Sequence, residues 1–124
     1  DVYKRQGENS ANGMLEDTPV EEICRLVRQM GEHCLVFIVT GREGTAEVVD
    51  ATKEWLKKNE IPSDAMFFRP VGDYSPGPDC KRRIYEENIK GKYNVQFVLD
   101  DSSKCVKMWR EQGLICIQPN EGKF

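Results

Sequence analysis

The hydrophobic positions of this chain fall into short apolar runs and longer stretches with helical spacing. The two clearest runs are LVFIV at residues 35–39 and VQFVL at residues 95–99. Each has the length of a buried strand, and each is followed at once by a small polar segment. Such runs are typical of strands that are covered on both faces, as in a parallel sheet.

The rest of the pattern alternates helices with strands. Shorter apolar runs at 66–68 and 114–117 predict two further strands. Helices are predicted from Asp17 to a stop at Gly31, over 48–59, over 79–89, and from a Ser102 or Ser103 cap to Gly113. Trp55 and Trp109 lie at helical spacing with other apolar residues and are predicted to be core residues. The order α-β-α-β-α-β-α-β predicts an α/β fold, a Rossmann-like three-layer sandwich with a mainly parallel sheet.

Composition narrows the class of protein. A chain of 124 residues is enough for one core, and a net charge of −3 gives no general attraction to nucleic acid or anionic membrane. A polyanionic substrate would therefore need a local cationic pocket. The five cysteines lack CxxC spacing and are expected to be reduced thiols of a cytoplasmic protein, and the single histidine disfavours zinc. No run approaches the length of a membrane span.

Candidate chemistry lies where the predicted strands end, because ligands of open α/β sheets sit at the carboxyl ends of the strands. Asp100 and Asp101 follow VQFVL directly. One interpretation is that one of these aspartates caps the following helix and the other is solvated. The other interpretation is that both belong to a site of oxygen ligands suited to Mg²⁺.

The other strand ends carry hydroxyl and cationic groups. Thr40 and Gly41 form either a simple turn or a phosphate-binding pair, and Arg42 adds a donor fork suited to phosphate. Arg69 follows the run at 66–68. Lys81, near a helix start, is either solvated or adds positive charge at that end of the helix.

In this order, the groups resemble the second, third and fourth motifs of the haloacid dehalogenase superfamily. The similarity is closer still to the 3′-phosphatase domain of phage-type polynucleotide kinases, and it covers roughly Leu15 to the C-terminus. Its most specific parts are an Arg-x-x-Gly-Asp segment and an Asp-Asp pair that precedes Met-Trp-Arg. The segments that carry the resemblance are Thr40-Gly41-Arg42-Glu43, Arg69-Pro70-Val71-Gly72-Asp73, Lys81, Asp100-Asp101 and Met108-Trp109-Arg110.

The resemblance implies a Mg²⁺-dependent phosphatase that acts on 3′-phosphorylated DNA or RNA ends. Thr40, Lys81 and Asp100 would be catalytic, and Asp100 and Asp101 would hold the metal. Gly41, Arg42 and Arg69 would bind the substrate, with Arg42 and Arg69 either contacting it directly or orienting the residues around it. An aspartate would attack phosphorus to form an aspartyl-phosphate, which water then cleaves.

The chain departs from the family in two places. Ser75 stands where the family's loop usually carries another arginine. The first motif, Asp-x-Asp-Gly-Thr, which supplies the nucleophile, the general acid–base and a metal ligand, is absent, and no Asp-x-Asp occurs in the 124 residues.

The first six residues, DVYKRQ, resemble the translation of a sequencing-library adapter. We therefore expect residues 1–6 to be a scar and residues 7–124 to be a partial phosphatase domain whose first strand, at the centre of the sheet, is missing. Such a fragment is expected to be inactive and poorly stable, with its two flanking strands either paired directly or separated by a gap.

Two alternatives remain open from the sequence. One is a small-molecule phosphatase of the same superfamily, acting on sugar or nucleotide monophosphates. The other is a non-catalytic binding or regulatory domain that naturally lacks the nucleophile. A receiver-type signalling domain places its acid pair on the first strand, which is the wrong order. A kinase or ligase domain fused upstream is also possible.

Overall fold

The computed structural model of this protein describes residues 21–122, in which four helices alternate with four strands as the sequence predicts. The predicted helix start at Asp17 and the first six residues lie outside this range. The elements are α1 (Glu21–Met30), β1 (Phe37–Glu43), α2 (Ala46–Lys58), β2 (Ala65–Arg69), α3 (Gly77–Asn88), β3 (Val98–Leu99), α4 (Ser103–Glu111) and β4 (Cys116–Ile117).

Local sequence explains where the helices begin. The Thr45 hydroxyl accepts the Val48 amide hydrogen at 3.3 Å and caps α2. The Ser102 hydroxyl accepts the Cys105 amide hydrogen at 3.3 Å and caps α4, which confirms the cap predicted there. Helix α3 begins two residues earlier than the predicted Asp79, because a proline fits the first turn of a helix, where its missing N–H is not needed.

The strands form two parallel pairs within residues 21–122. β1 pairs with β2, with Phe37 opposite Ala65, and β3 pairs with β4, with Val98 opposite Cys116. No ladder joins β1 to β3 in this part of the chain. The predicted sheet is therefore parallel but interrupted, which is the gapped arrangement expected for a sheet without its central strand.

The interruption also shortens the strand predicted at residues 95–99. Only Val98 and Leu99 of the apolar run at 95–99 are in strand conformation. The run meets its partner strand, β4, only at its C-terminal end, where the Val98 amide donates to the Ile115 carbonyl at 2.8 Å. A strand is defined by hydrogen bonds to a partner, so only this end of the run is in strand conformation.

A cavity of about 380 Å³ is lined by residues of both strand pairs. Phe37 and Val39 of β1 contribute to its wall, and so do Val98 and Leu99 of β3. The two pairs are thus held around a shared apolar space by the helices that cover them.

Helices cover both faces of β1, as expected for a three-layer fold. Ile38 packs in a cluster with α1 and α2 that includes Trp55, whereas the next residue, Val39, packs in a cluster with α3 and α4 that includes Trp109. Successive strand residues point to opposite faces, which accounts for this division. Both tryptophans are 2% exposed and confirm the core positions predicted from helical spacing.

Two further predictions concern the environment of the chain. None of the helices within residues 21–122 has the length and apolar character that crossing a bilayer requires. None of the five cysteines, which all lie within this range, forms a disulfide.

Candidate functional site

A buried ion pair lies at the carboxyl end of β3. Lys81 Nζ donates to Asp100 Oδ2 at 2.9 Å, and the two residues are 4% and 2% exposed. Lys81 lies in the second turn of α3, a helix that packs against β1, β2 and α4. Of the two interpretations of Lys81, the structure excludes the solvated one.

The turn after β3 orients the Asp100 carboxylate. The Ser102 amide donates to Asp100 Oδ1 at 3.0 Å, while the Ser102 hydroxyl caps α4. Burial raises the pKa of Asp100, but nearby positive charge, including that of Lys81, and the hydrogen bonds from Lys81 and the Ser102 amide hold the pKa below its ordinary value. Asp100 is therefore an ionised carboxylate at neutral pH.

A third donor reaches Asp100 from α4. The indole Nε1–H of Trp109 donates to Asp100 Oδ2 at 3.1 Å. The sequence marked Trp109 as core and as part of the Met-Trp-Arg run, but not as a contact of Asp100. Helical spacing shows which face of α4 Trp109 lies on, but it does not show which acceptor the indole N–H group reaches.

Asp101 lies in a different environment from its neighbour. Its Oδ1 atom is buried and has no hydrogen-bond partner within residues 21–122. Burial raises the pKa of Asp101, a hydrogen bond from the Asn120 backbone lowers it by less, and the adjacent Asp100 charge raises it further. The two acids thus differ in the direction of their pKa shifts.

The oxygen atoms at this turn fit a hard divalent cation in part. Asp101 Oδ1 is the kind of orphaned buried carboxylate oxygen that a cation would satisfy. However, Lys81, Trp109 and Ser102 engage both oxygens of Asp100. No group of three or more His, Cys, Asp or Glu side chains could hold a metal ion within residues 21–122. A complete metal site would therefore need further oxygen ligands.

The predicted phosphate-binding residues occupy the end of β1. Thr40 is 1% exposed, and its Oγ1 accepts the Arg42 amide hydrogen at 3.2 Å. Because the oxygen accepts this bond, the hydroxyl hydrogen can still be donated to a ligand. Arg42 is 5% exposed, so its guanidinium lies inside the protein.

Arg69 joins the end of β2 to the end of β1. Its Nε donates to the Gly41 carbonyl at 2.6 Å, and its Nη1 donates to the carbonyls of Ser75 at 2.6 Å and Asp73 at 3.2 Å. The guanidinium therefore fastens the Arg-x-x-Gly-Asp loop to the Thr-Gly turn. Of the two roles expected for Arg69, this geometry favours orientation of the surrounding residues over direct substrate contact.

Arg83 contributes a cation to the same loop, and no pattern in the sequence predicts this contact. Its Nη2 lies 3.0 Å from Asp73 Oδ2 and also donates to the Ser75 hydroxyl. The resemblance placed a family arginine at the position of Ser75. Here a guanidinium reaches Ser75 from α3 instead.

The predicted site residues thus fall into two contact groups. One joins Lys81 to Asp100, with Asp101 next in the chain. The other joins Arg69 to Gly41, with Thr40 and Arg42 on the same turn. Helix α3 connects the groups, since it carries Lys81 and packs against both β1 and β2.

Comparison with known proteins places this arrangement in a family. The family model described as "Polynucleotide kinase PNKP phosphatase domain" matches residues 3–124. A curated relative from Autographa californica nuclear polyhedrosis virus, named "Putative bifunctional polynucleotide kinase/RNA ligase", is 32% identical over 78 residues, which is 62% of this chain and 11% of the viral protein.

Two solved structures have the same fold as this chain. A chain in the "Structure of the Pnkp1/Rnl/Hen1 RNA repair complex" matches with a TM-score of 0.88 and 28% identity, covering 99% of this chain and 40% of that one. A chain in the "Structure of Pnkp1/Rnl/Hen1 complex" matches with a TM-score of 0.87 and 29% identity, covering 99% and 44%. The chain therefore spans less than half the length of each of these relatives.

Proposed function

This chain belongs to the family of polynucleotide kinase phosphatase domains, which is of haloacid dehalogenase type, and from that premise we propose that the complete protein hydrolyses 3′-phosphate ends of polynucleotides. By the complete protein we mean this chain together with its upstream coding sequence. The reaction is the removal of a terminal phosphomonoester during nucleic-acid end repair.

The observation that carries the proposal is the buried pair of Lys81 and Asp100. Removing two charges from water costs several kcal/mol per ion, and their mutual attraction often fails to offset that cost. A buried ion pair therefore contributes little net stability to a fold. An ammonium held ready beside an ionised carboxylate at a strand end is, however, suited to stabilising a transferring phosphoryl group.

We assign roles to the residues on this basis. Thr40 donates its hydroxyl hydrogen to a phosphoryl oxygen, and Gly41 offers its backbone amide to the same group. Lys81 moves from Asp100 towards the nucleophile and the phosphoryl oxygens as charge develops there. Arg42 contacts the substrate, while Arg69 holds the loop that shapes the site.

The attacking carboxylate comes from outside the present 124 residues in this proposal. No Asp-x-Asp occurs in the chain, and no ladder joins β1 to β3 within residues 21–122, so we place a strand that carries such a motif between them in this proposal. The chain by itself is accordingly proposed to be inactive, since loss of a nucleophile costs orders of magnitude in rate.

Asp100 and Asp101 would hold Mg²⁺ together with oxygen ligands from the upstream segment. When bound, the ion supplies positive charge that screens the nucleophile from the phosphate. The orphaned Oδ1 of Asp101 supports this assignment.

The partners follow from the same premise. The substrate is a 3′-phosphorylated DNA or RNA end, and the viral relative and the repair complexes favour a kinase or ligase domain in the same polypeptide or assembly. We propose a cytoplasmic location, because five reduced thiols suit a reducing compartment.

A substrate panel tests the proposal. Phosphate release by the complete protein is measured with 3′-phosphorylated RNA and DNA oligonucleotides, nucleoside monophosphates and sugar phosphates. We expect both oligonucleotides to give the higher kcat/KM. Preference for the monophosphates would favour the small-molecule alternative, and inactivity of the complete protein on every substrate would favour the non-catalytic one.

A further inference from the structure

Two donors reach the same oxygen of Asp100 from different helices. Lys81 Nζ lies 2.9 Å from Oδ2 on one side, and Trp109 Nε1 lies 3.1 Å from it on the other. Ser102 holds the second oxygen through its backbone amide at 3.0 Å. The carboxylate is thus fixed by three donors from α3, from α4 and from the turn between β3 and α4.

The two donors on Oδ2 differ in what they can do. Lysine is a charge on a flexible stem, and its ammonium can move between acceptors. The indole N–H is neutral, cannot accept a hydrogen bond, and belongs to a rigid ring. That ring is 2% exposed and packs edge-on against Tyr85, with ring centroids 5.9 Å apart. Trp109 is therefore held in place.

Lys81 cannot serve Asp100 and a phosphoryl group equally at the same moment. If it turns towards the phosphoryl oxygens, the buried carboxylate loses a charged hydrogen-bond donor, and losing a partner destabilises a buried charge. Trp109 and Ser102 are the described donors that remain. Of these, Trp109 is on the oxygen that Lys81 leaves.

We propose that Trp109 is a positioning residue that keeps the Asp100 carboxylate in place while Lys81 acts on the transferring phosphoryl group. This inference rests on the proposed function. It explains why a core tryptophan of α4 donates its one N–H group to the carboxylate at the end of β3, nine positions away.

The kinetic test replaces Trp109 by phenylalanine in the complete protein, which removes the N–H group and keeps an aromatic ring. Trp55→Phe is the matched control, because Trp55 is equally buried but packs in the other core cluster. For Trp109→Phe we expect kcat on a 3′-phosphorylated oligonucleotide to fall about 10- to 100-fold with KM nearly unchanged, as when a partner that orients a ligand is removed.

The control separates positioning from packing. Both substitutions shrink a core side chain, so both should lower the melting temperature, whereas only Trp109→Phe should lower kcat. The inference is overturned if the two variants lose kcat equally, or if Trp109→Phe changes KM and leaves kcat intact.

A second readout does not depend on activity. The 124-residue chain has two tryptophans and so gives two indole N–H signals in a ¹⁵N–¹H spectrum, assigned with the two phenylalanine variants. Asp100→Asn, recorded without metal, should shift the Trp109 signal upfield and leave the Trp55 signal in place. An unmoved Trp109 signal would refute the contact. If the wild-type complete protein fails to release 3′-phosphate, the proposed function fails while this spectrum still decides the contact.

Discussion

Lys81 and Asp100 are separated by 19 positions in the chain, yet their Nζ and Oδ2 atoms lie 2.9 Å apart in the protein interior. The pair joins α3 to the end of β3. Because each buried charge is stabilised by the other, a substitution at one residue should change the contribution of the other to the free energy of unfolding.

A double-mutant cycle measures this dependence. Lys81→Met or Asp100→Asn alone should each lower the free energy of unfolding of the chain by about 3–5 kcal/mol, because either leaves one buried charge unpaired. The double variant, which buries neither charge, should lose much less than the sum. Urea unfolding gives the four values. Additive losses would show that the pair is not coupled.

The pH dependence of stability should carry the signature of Asp100. Its pKa is lower in the folded protein than in the unfolded chain, so its contribution is present above the unfolded value of about 3.9 and is lost as pH falls through the folded pKa. Between neutral and acid pH, wild type should therefore lose stability more steeply than Asp100→Asn. Parallel curves for the two proteins would contradict this assignment.

Asp101 should behave in the opposite way. Its pKa is raised on folding, so its contribution is fully present below the unfolded pKa and is lost as pH rises through the folded pKa. Asp101→Asn should consequently increase stability at neutral pH, and in the complete protein it should raise the Mg²⁺ concentration that half-maximal activity requires. Thermal unfolding at pH 4 and pH 7 checks the first part, and a decrease in stability at pH 7 would count against it.

The sequence predicted the succession of elements well because the relevant signals are local. Ser102 caps α4 and Gly113 follows it with φ of 84°, a conformation that favours glycine. The extent of the strand at 95–99 was overestimated. Strand length depends on partners elsewhere in the chain, which periodicity does not reveal.

The site was predicted less completely than the fold. The order of motifs identified Lys81 and Asp100, but not that they contact each other directly, nor that Trp109 shares the same oxygen. The two neighbouring acids look alike in the sequence. Their pKa shifts differ because nearby positive charge, including that of Lys81, lowers the pKa of Asp100, whereas burial raises the pKa of Asp101.

Arg69 offers a test of how the Thr-Gly turn is held. Arg69→Lys keeps the charge but cannot reach the carbonyls of Gly41, Asp73 and Ser75 together, so the loop after β2 should loosen. We expect faster proteolysis within residues 70–76 and reduced kcat/KM in the complete protein. Arg82→Lys, whose side chain is about 42% exposed, is the control and should change neither. An unchanged rate of proteolysis in Arg69→Lys would contradict a positioning role for Arg69.

Phosphate release from a 3′-phosphorylated RNA oligonucleotide is the most direct measurement of the central claim. Three proteins are compared with and without Mg²⁺: the complete protein, its Lys81→Met variant, and the 124-residue chain alone. We predict metal-dependent phosphate release by the complete protein and no release by the chain alone. In Lys81→Met, the rate of release should fall by at least about 100-fold, as when other donors to a transition state are removed. Undiminished release by Lys81→Met, or release by the 124-residue chain, would contradict the account.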